Sequence, residues 1–257
     1  MRKRKLRAIS LLLAGIMSVG LFAGCSSDGG EKKSDNGGGA KDSIVIATMG
    51  ETPSLSPTEH NAVAGSYMNL LTYNTLFRSG MDLEPEPDLV DTYENVDDST
   101  WRFTIKDGVK FHNGDTMTAD DVVASIQWAQ GFAEVNLYNS DIVSITKVDD
   151  LTVEIKTDGP DAMLLNNLCH HGNAIVPKSL IDSGHDFNSD PIGSGPYKLV
   201  EWKRGDSLTF EAFEDYFKGP AKIKNMTWKI IPEGSSRTIA LEAGEIDFIV
   251  EVEAMDA

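Results

Sequence analysis

Residues 191–199 read PIGSGPYKL, and the understanding of Gly193-Ser194-Gly195-Pro196 decides the fold. Two glycines flank a serine, a proline follows, and the chain then turns apolar. A dinucleotide loop needs a small residue at the last position of G-x-G-x-x-G, where Lys198 stands. A nucleophile elbow needs one residue between each glycine and the serine, and there is none. What is left is a tight turn using glycine's access to positive φ, with Pro196 stiffening the exit. Its surroundings decide whether it is also a joint between two bodies.

Downstream, YKLVEW and SLTFEAF are separated by Lys203-Arg204-Gly205-Asp206, a hairpin pattern. MTWKII predicts a strand, residues 235–243 a helix stopped at Gly244, and IDFIV another strand. A strand, a helix and a strand with so short a crossover predict parallel pairing. Upstream, LTVEIK alternates as a strand should, and AMLLNNL predicts a short helix. Trp101, Phe103 and Ile105 alternate with Arg102 and Thr104, a half-buried strand. Two turn pairs, Asp107-Gly108 and Asn113-Gly114, leave Val109-Lys110-Phe111 as a short strand between them. Thr118 with Asp121 resembles a capping box, and Val122, Val123, Ile126 and Ala129 mark the buried side of the helix it starts. SIVIATM, residues 43–49, predicts the first buried strand, and a Pro-punctuated loop then leads into a helical pattern around Met68, Leu71 and Leu76. No internal repeat is present, and the fold class is α/β, mixed α+β.

At 257 residues and 40% hydrophobic, the chain can bury one large core or two modest ones. It opens with Arg2-Lys3-Arg4-Lys5 and Arg7, then an apolar run over residues 8–23 that ends in LFAGC. That order is a secretion signal rather than a membrane span, because the apolar part is short and interrupted by glycine. Leu21, Ala23, Gly24 and Cys25 have the spacing of a bacterial lipobox, which implies cleavage before Cys25 and a diacylglycerol on its sulfur. Residues 26–42 are dominated by Gly, Ser, Asp and Lys and cannot bury enough surface to offset their chain entropy, so residues 25–42 form a flexible tether. The formal charge of −17 becomes −22 once residues 1–24 take their five basic side chains away. Such a charge excludes nucleic acid as a partner. With Cys25 acylated, Cys169 has no partner for a disulfide within the chain.

Several stretches, taken in order, carry a resemblance. They are EPDLVDTYENVDDSTWRFTIKDGVKFHNGDTMTADDVVAS, IVPKSLI, PIGSGPYKLVEWKRGDSLTFEAFEDYFKGPAKIKNMTWKII and ALEAGEIDF. The set resembles the solute-binding proteins of oligopeptide, dipeptide and nickel ABC importers, the bacterial extracellular solute-binding proteins of family 5. It covers residues 43 to about 250, with SLSP at 54–57 where the family more often has SLDP. The resemblance implies a periplasmic-binding-protein-like type II lobe with an inserted accessory domain. Residues 1–24 are then a lipoprotein signal peptide and 25–42 a tether. Residues 43–76 and 188–257 supply the two segments of the first lobe, with 77–187 inserted between them. The chain looks like the N-terminal half of such a protein, lacking the second ligand lobe. Gly193, Ser194, Gly195 and Pro196 become the turn by which the chain re-enters the first lobe, close to the cleft. The resemblance also implies that a bound peptide lies extended and pairs with backbone a few residues after the Ser-Leu-x-Pro turn. Counting from Ser54-Leu55-Ser56-Pro57, that segment is Asn61, Ala62 and Val63, offering free N–H and C=O groups ahead of the helix.

Other chemistry is poorly supported. Cys169-His170-His171 is a local metal-like cluster, but adjacent ligands rarely converge on one ion, and a buried thiol beside partly exposed imidazoles fits better. His60, His112 and His185 are scattered. Glu84 and Glu86 sit in a Pro-spaced loop, and Asp120 and Asp121 in a helix first turn, so neither pair nominates an acid and a base across a cleft. No catalytic residue, metal or cofactor is expected. The expected function is a lipid-anchored receptor on the outer face of the cell membrane, periplasmic where a second membrane exists. It would be a monomer that passes short peptides to ABC permease subunits. The alternatives are a receptor for nickel chelate or haem, and a lipid-anchored signalling or chaperone module. The anchor is testable directly: radiolabelled palmitate should enter the wild-type protein and not Cys25→Ser, and label that persists in the variant would sink the lipid assignment.

Overall fold

The β-branched run SIVIAT forms β1 (Ser43–Thr48). The computed structural model describes residues 41–252, so the signal peptide, Cys25 and nearly all of the tether lie outside the described residues. After β1 come α1 (Val63–Thr72), the short pair β2 (Phe77–Ser79) and β3 (Pro85–Pro87), then β4 (Val90–Asp97) and β5 (Thr100–Ile105). Next are α2 (Ala119–Ala129), β6 (Ile142–Lys147), β7 (Thr152–Thr157), α3 (Leu164–Asn167) and α4 (Lys178–Ser183). The last are β8 (Tyr197–Lys203), β9 (Ser207–Ala212), β10 (Asn225–Ile230), α5 (Gly234–Glu242) and β11 (Phe248–Ile249). The fold is mixed α/β.

A five-stranded sheet runs in the order β11-β1-β10-β9-β8. β1 is parallel to both neighbours, while β10, β9 and β8 pair antiparallel. A parallel strand covered on both faces needs apolar residues on both, which explains why β1 lacks polar alternation. Ile44 and Ile46 pack with Met68 of α1 and with Phe210 and Trp228. Val45 and Ala47 pack on the other side with Ala240 of α5 and with Ile246. β10 and β11 are parallel, as their short crossover predicts, but they are not neighbours. β1, packed on both faces, occupies the slot between them.

The second sheet, β4-β5-β7-β6, is antiparallel throughout. Phe103, Ile105, Val153 and Ile155 share one core with Val122 and Ile126 of α2. On the opposite face Arg102 bonds Glu94 at 2.8 Å and Glu154 at 3.0 Å. The capping box at α2 is formed: Thr118 N–H donates to Asp121 Oδ2 at 2.8 Å. The other oxygen of Asp121 accepts from Lys178 N–H at 2.8 Å, which docks the start of α4 on the start of α2.

Two local expectations are corrected. Val109-Lys110-Phe111 is no strand: Lys110 makes a single bridge to Thr116, and burial of Val109 and Phe111 holds the segment instead. Three residues between two turns have too little length for a ladder. The helical pattern through Leu76 also ends early. Tyr73 is already extended (φ −124°, ψ 159°), and Leu76 crosses into the core of the second sheet.

The end of α1 is shaped by residues 193–196. Gly195 N–H donates to the Thr72 carbonyl at 2.9 Å. A Cβ at Gly193 would lie 2.2 Å from Thr72 O, and one at Gly195 would lie 2.5 Å from Leu71 O. Neither glycine has positive φ, so the expectation of a positive-φ turn is corrected. They are glycines because any side chain would collide with the last turn of α1. Positive φ is used elsewhere, as at Gly244 (φ +73°), where it stops α5. His112 holds the same stretch from the other side. Its N–H donates to Gly193 C=O at 2.8 Å, and its ring Nε2–H donates to Gly195 C=O at 3.0 Å. Ser194 is fully buried and donates to Asn74 Oδ1 at 3.3 Å. Asn74 donates to the buried Asp88 at 2.7 Å, and Asp88 forms an ion pair with Lys218.

Gly195→Ala should therefore cost about 2–3 kcal/mol in urea unfolding, because neither contacting carbonyl can move without unwinding α1. Gly50→Ala, where a Cβ meets nothing within 4 Å, should be neutral or slightly stabilising. Equal stability of the two variants would refute the close-approach reading. A second test uses pH. Burial pushes His112 down to about 4, below its value near 6.5 in the unfolded chain. The unfolded state therefore binds the proton first, so stability is full above about pH 6.5 and falls as pH drops toward 4. At pH 5 His112 alone accounts for about 2 kcal/mol of that loss. The drop in melting temperature from pH 7 to pH 5 should be smaller in His112→Gln than in wild type, and an identical drop would exonerate this histidine.

Candidate functional site

α1 starts without help from its own side chains. Its N-cap, Ala62, is extended (φ −96°, ψ 139°) and has no side-chain bond to give, and no acidic residue lies in the first turn. The residues in front of it are held by a distant part of the chain instead. His60, isolated in sequence, stacks on His171 with ring centroids 5.0 Å apart, which corrects its reading as a scattered histidine. His171 lies 4.2 Å from His170, and His170 stacks on Tyr138 at 3.6 Å with the planes 16° apart.

The hydrogen bonds fix where the protons are. Gly172 N–H donates to His170 Nδ1 at 3.1 Å, so the His170 proton is on Nε2, which donates to Asn61 Oδ1 at 3.1 Å. Asn61 Nδ2 then donates to the Tyr138 hydroxyl at 3.2 Å. His171 Nε2–H donates to the His60 carbonyl at 3.2 Å. Ala62 N–H donates to His60 Nδ1 at 3.3 Å, leaving the His60 proton on Nε2, 3.2 Å from the Asn69 amide. That amide must turn its oxygen to His60, which also supplies a partner for the otherwise unbonded buried Oδ1. Burial first, and then the neighbouring imidazoles, lower His60 to about 4 and His170 to about 3. Burial also lowers His171, against the opposing effect of its bond to His60. All three rings are neutral at pH 7.

Cys169 turns away from this row. Its thiol donates to Leu165 C=O at 3.3 Å, and burial raises its pKa. Among the described residues no group of three or more His, Cys, Asp or Glu side chains is placed to hold a metal ion.

The residues expected to meet a ligand differ among themselves. Ala62 is engaged within the chain: its N–H goes to His60, and its C=O accepts from Ser66 N–H at 3.0 Å and Ser66 Oγ at 3.2 Å. Val63 lies in the first turn of α1, not ahead of it, and its side chain is 63% exposed. Among the described residues, the backbone N–H and C=O of Asn61 and the N–H of Val63 make no hydrogen bond. The expectation of free groups at all three residues thus narrows to Asn61 and Val63, which alternate around an inward-turned Ala62.

A groove of about 590 Å³ is lined by Ser66 and Asn69 of α1 and by Tyr73, Tyr138, His170 and Lys218. Residues 193–196 pack at the C-terminal end of α1, which at ten residues is about 15 Å long. The two groups of residues nominated from sequence therefore sit at opposite ends of one helix. Tyr138, Ser66 and the His60–His171 stack have no signal in local spacing, because their partners lie far away along the chain.

Residues 84–257 match the family model described as bacterial extracellular solute-binding proteins, family 5 middle. The oligopeptide-binding protein AppA of Bacillus subtilis (strain 168) is 29% identical over 264 residues, covering 96% of this chain and 48% of that protein. The glutathione-binding protein GsiB of Pectobacterium atrosepticum is 31% identical over 216 residues, covering 81% of this chain and 42% of that protein. The solved structure of B. subtilis AppA in complex with a nonapeptide superposes with a TM-score of 0.77 at 30% identity, over 83% of this chain and 44% of that one. The chain spans about half the length of these relatives. No helix among the described residues is long and apolar enough to cross a membrane. With the family match running through both the 84–187 region and the strands that enclose β1, the chain belongs to the bacterial extracellular solute-binding proteins of family 5.

Proposed function

We propose that this chain is the receptor component of an ABC importer, held outside the cell membrane by a lipid on Cys25, that captures short peptides as a monomer and passes them to the permease. Residues 43–76 and 188–257 act as one lobe, 77–187 as a body inserted in it, and Gly193–Pro196 as the re-entry turn. β1 and β8 to β11 sharing one sheet while β4 to β7 build another supports that partition.

The observation that carries the ligand class is the backbone at the start of α1. Asn61 and Val63 expose unpaired main-chain groups at two-residue spacing, the spacing at which an extended peptide presents its own. Pairing of this kind ignores side chains, so one receptor serves many peptides. The relatives named for oligopeptides and for glutathione bind ligands that share the amide backbone.

A peptide laid along Asn61 and Val63 meets this chain on one face only, so its dissociation constant should be about 1 mM, roughly −4 kcal/mol. Tetra-alanine titrated into the isotopically labelled protein should shift the Asn61 and Val63 amide resonances in that range. Val63→Pro removes one of the free donors. Proline is at home in the first helical position, and the extended Ala62 suits a residue before proline. The variant should keep the wild-type melting temperature and bind tetra-alanine about tenfold more weakly, from the loss of one donor to a buried partner. Unchanged binding in a folded Val63→Pro protein would reject the pairing segment.

A further inference from the structure

Asn61 is an exposed residue in front of a helix that lacks a cap, and such a residue is ordinarily free to sample several backbone and side-chain states. Here both ends of its carboxamide are held. Nδ2 donates to the Tyr138 hydroxyl at 3.2 Å, and Oδ1 accepts from His170 Nε2–H at 3.1 Å. The two rings that provide these contacts are stacked on each other at 3.6 Å, so they act as one plate. The donor order along the chain of contacts is set at its far end. Gly172 N–H, a group that can only donate, fixes Nδ1 of His170 as the acceptor and thereby makes Nε2 the donor that Asn61 Oδ1 requires. His60 and Ala62 on either side are tied down too, through the His171 ring and through His60 Nδ1.

We propose that Tyr138 and His170 are positioning residues that hold Asn61 so that its backbone N–H and C=O face the ligand before the ligand arrives. The inference rests on the peptide-pairing reading given above and deepens it. Tyr138 and His170 spend their polar atoms on Asn61 and Gly172 and one face of each ring on the other, so they act through the segment. An edge ordered in advance spares the ligand the conformational entropy of ordering it, which is the general route by which preorganisation raises affinity.

Heteronuclear NMR on the chain tests this in separate arms. The His170 ring nitrogens should show a protonated Nε2 and an unprotonated Nδ1, and the opposite tautomer overturns the proposal. In wild type the Asn61 amide should have an order parameter of about 0.85, falling toward about 0.6 in Tyr138→Phe and in His170→Phe. His170→Gln, which keeps an N–H donor toward Asn61, should recover much of the loss. Thermal melts identify any variant that has lost its fold, and Tyr138→Phe, which deletes one hydroxyl, is the control for His170→Phe. Tetra-alanine binding should weaken about 2- to 10-fold in Tyr138→Phe, the range expected for one net hydrogen bond. Combining Tyr138→Phe with Val63→Pro should cost less than the product of the two single effects, because both act on one segment. An unchanged order parameter in a folded Tyr138→Phe protein, or fully multiplicative losses in the double variant, would overturn the positioning role. Absence of any tetra-alanine shift at Asn61 in wild type is a different failure: it removes the peptide-pairing reading, while the order parameters still decide whether the clamp exists.

Discussion

Two glycines meeting the last turn of a helix organise the rest of this structure. With no side chain at Gly193 or Gly195, the backbone of residues 193–195 lies directly on the Leu71 and Thr72 carbonyls, and one of those carbonyls takes the Gly195 N–H. Everything on either side is arranged around that contact. α1 must end at Thr72, Tyr73 must turn extended, and Leu76 is sent into the core of the second sheet. The chain that leaves Pro196 enters β8 and builds the outer part of the five-stranded sheet. His112, whose neighbour Phe111 is buried in the core of the second sheet, bonds both glycine carbonyls and so ties the two sheets to one point.

An ion pair between the buried Asp88 and the part-exposed Lys218 backs up this contact. Asp88 reaches Lys218 directly and Ser194 through Asn74, joining the strand β3–β4 connection, the end of α1 and the loop after β9. A buried charge with its partner removed is costly, whereas the intact pair adds little net stability over an apolar replacement. Its value here is one of arrangement: three chain segments have to be in register before Asp88 is satisfied. The glycine contact and the Asp88 network together act on the C-terminal end of α1, and the Tyr138–His170–Asn61 contacts act on its N-terminal end. One ten-residue helix is thus fixed at both ends by residues remote in sequence.

How much of this the sequence discloses follows from the range of each interaction. Elements built from local patterns were legible. β5 follows from the alternation of Trp101, Phe103 and Ile105, the start of α2 from Thr118 and Asp121, and the β8–β9 hairpin from Gly205 and its flanks. Gly193 and Gly195 stand out in the sequence as a turn but not as a close approach, because glycine used for backbone freedom and glycine used for lack of bulk are identical letters. The insertion of β1 between β10 and β11 has no local signature at all, since it pairs a strand with partners at the far end of the chain rather than with its sequence neighbours. The same holds at the candidate site. Residues 61–63 follow from a resemblance, but the grip of Tyr138 and His170 on Asn61, and the hold of His171 on the His60 that takes the Ala62 N–H, depend on contacts across most of the second sheet's sequence.

The position of β1 also bears on the order in which the molecule can assemble. Ser43 pairs with Asn225, and Ile46 with Phe248, so the first strand made finds both of its neighbours only after nearly the whole described chain exists. The β4-β5-β7-β6 sheet and α2 are drawn from residues 90–157 and close over much shorter loops. Contacts of low sequence separation form early and long-range parallel pairing forms late, so that sheet with α2 can condense while β1 is still unpaired. For a chain emerging from its N-terminus, the strand that ends up between β10 and β11 is the one that waits longest.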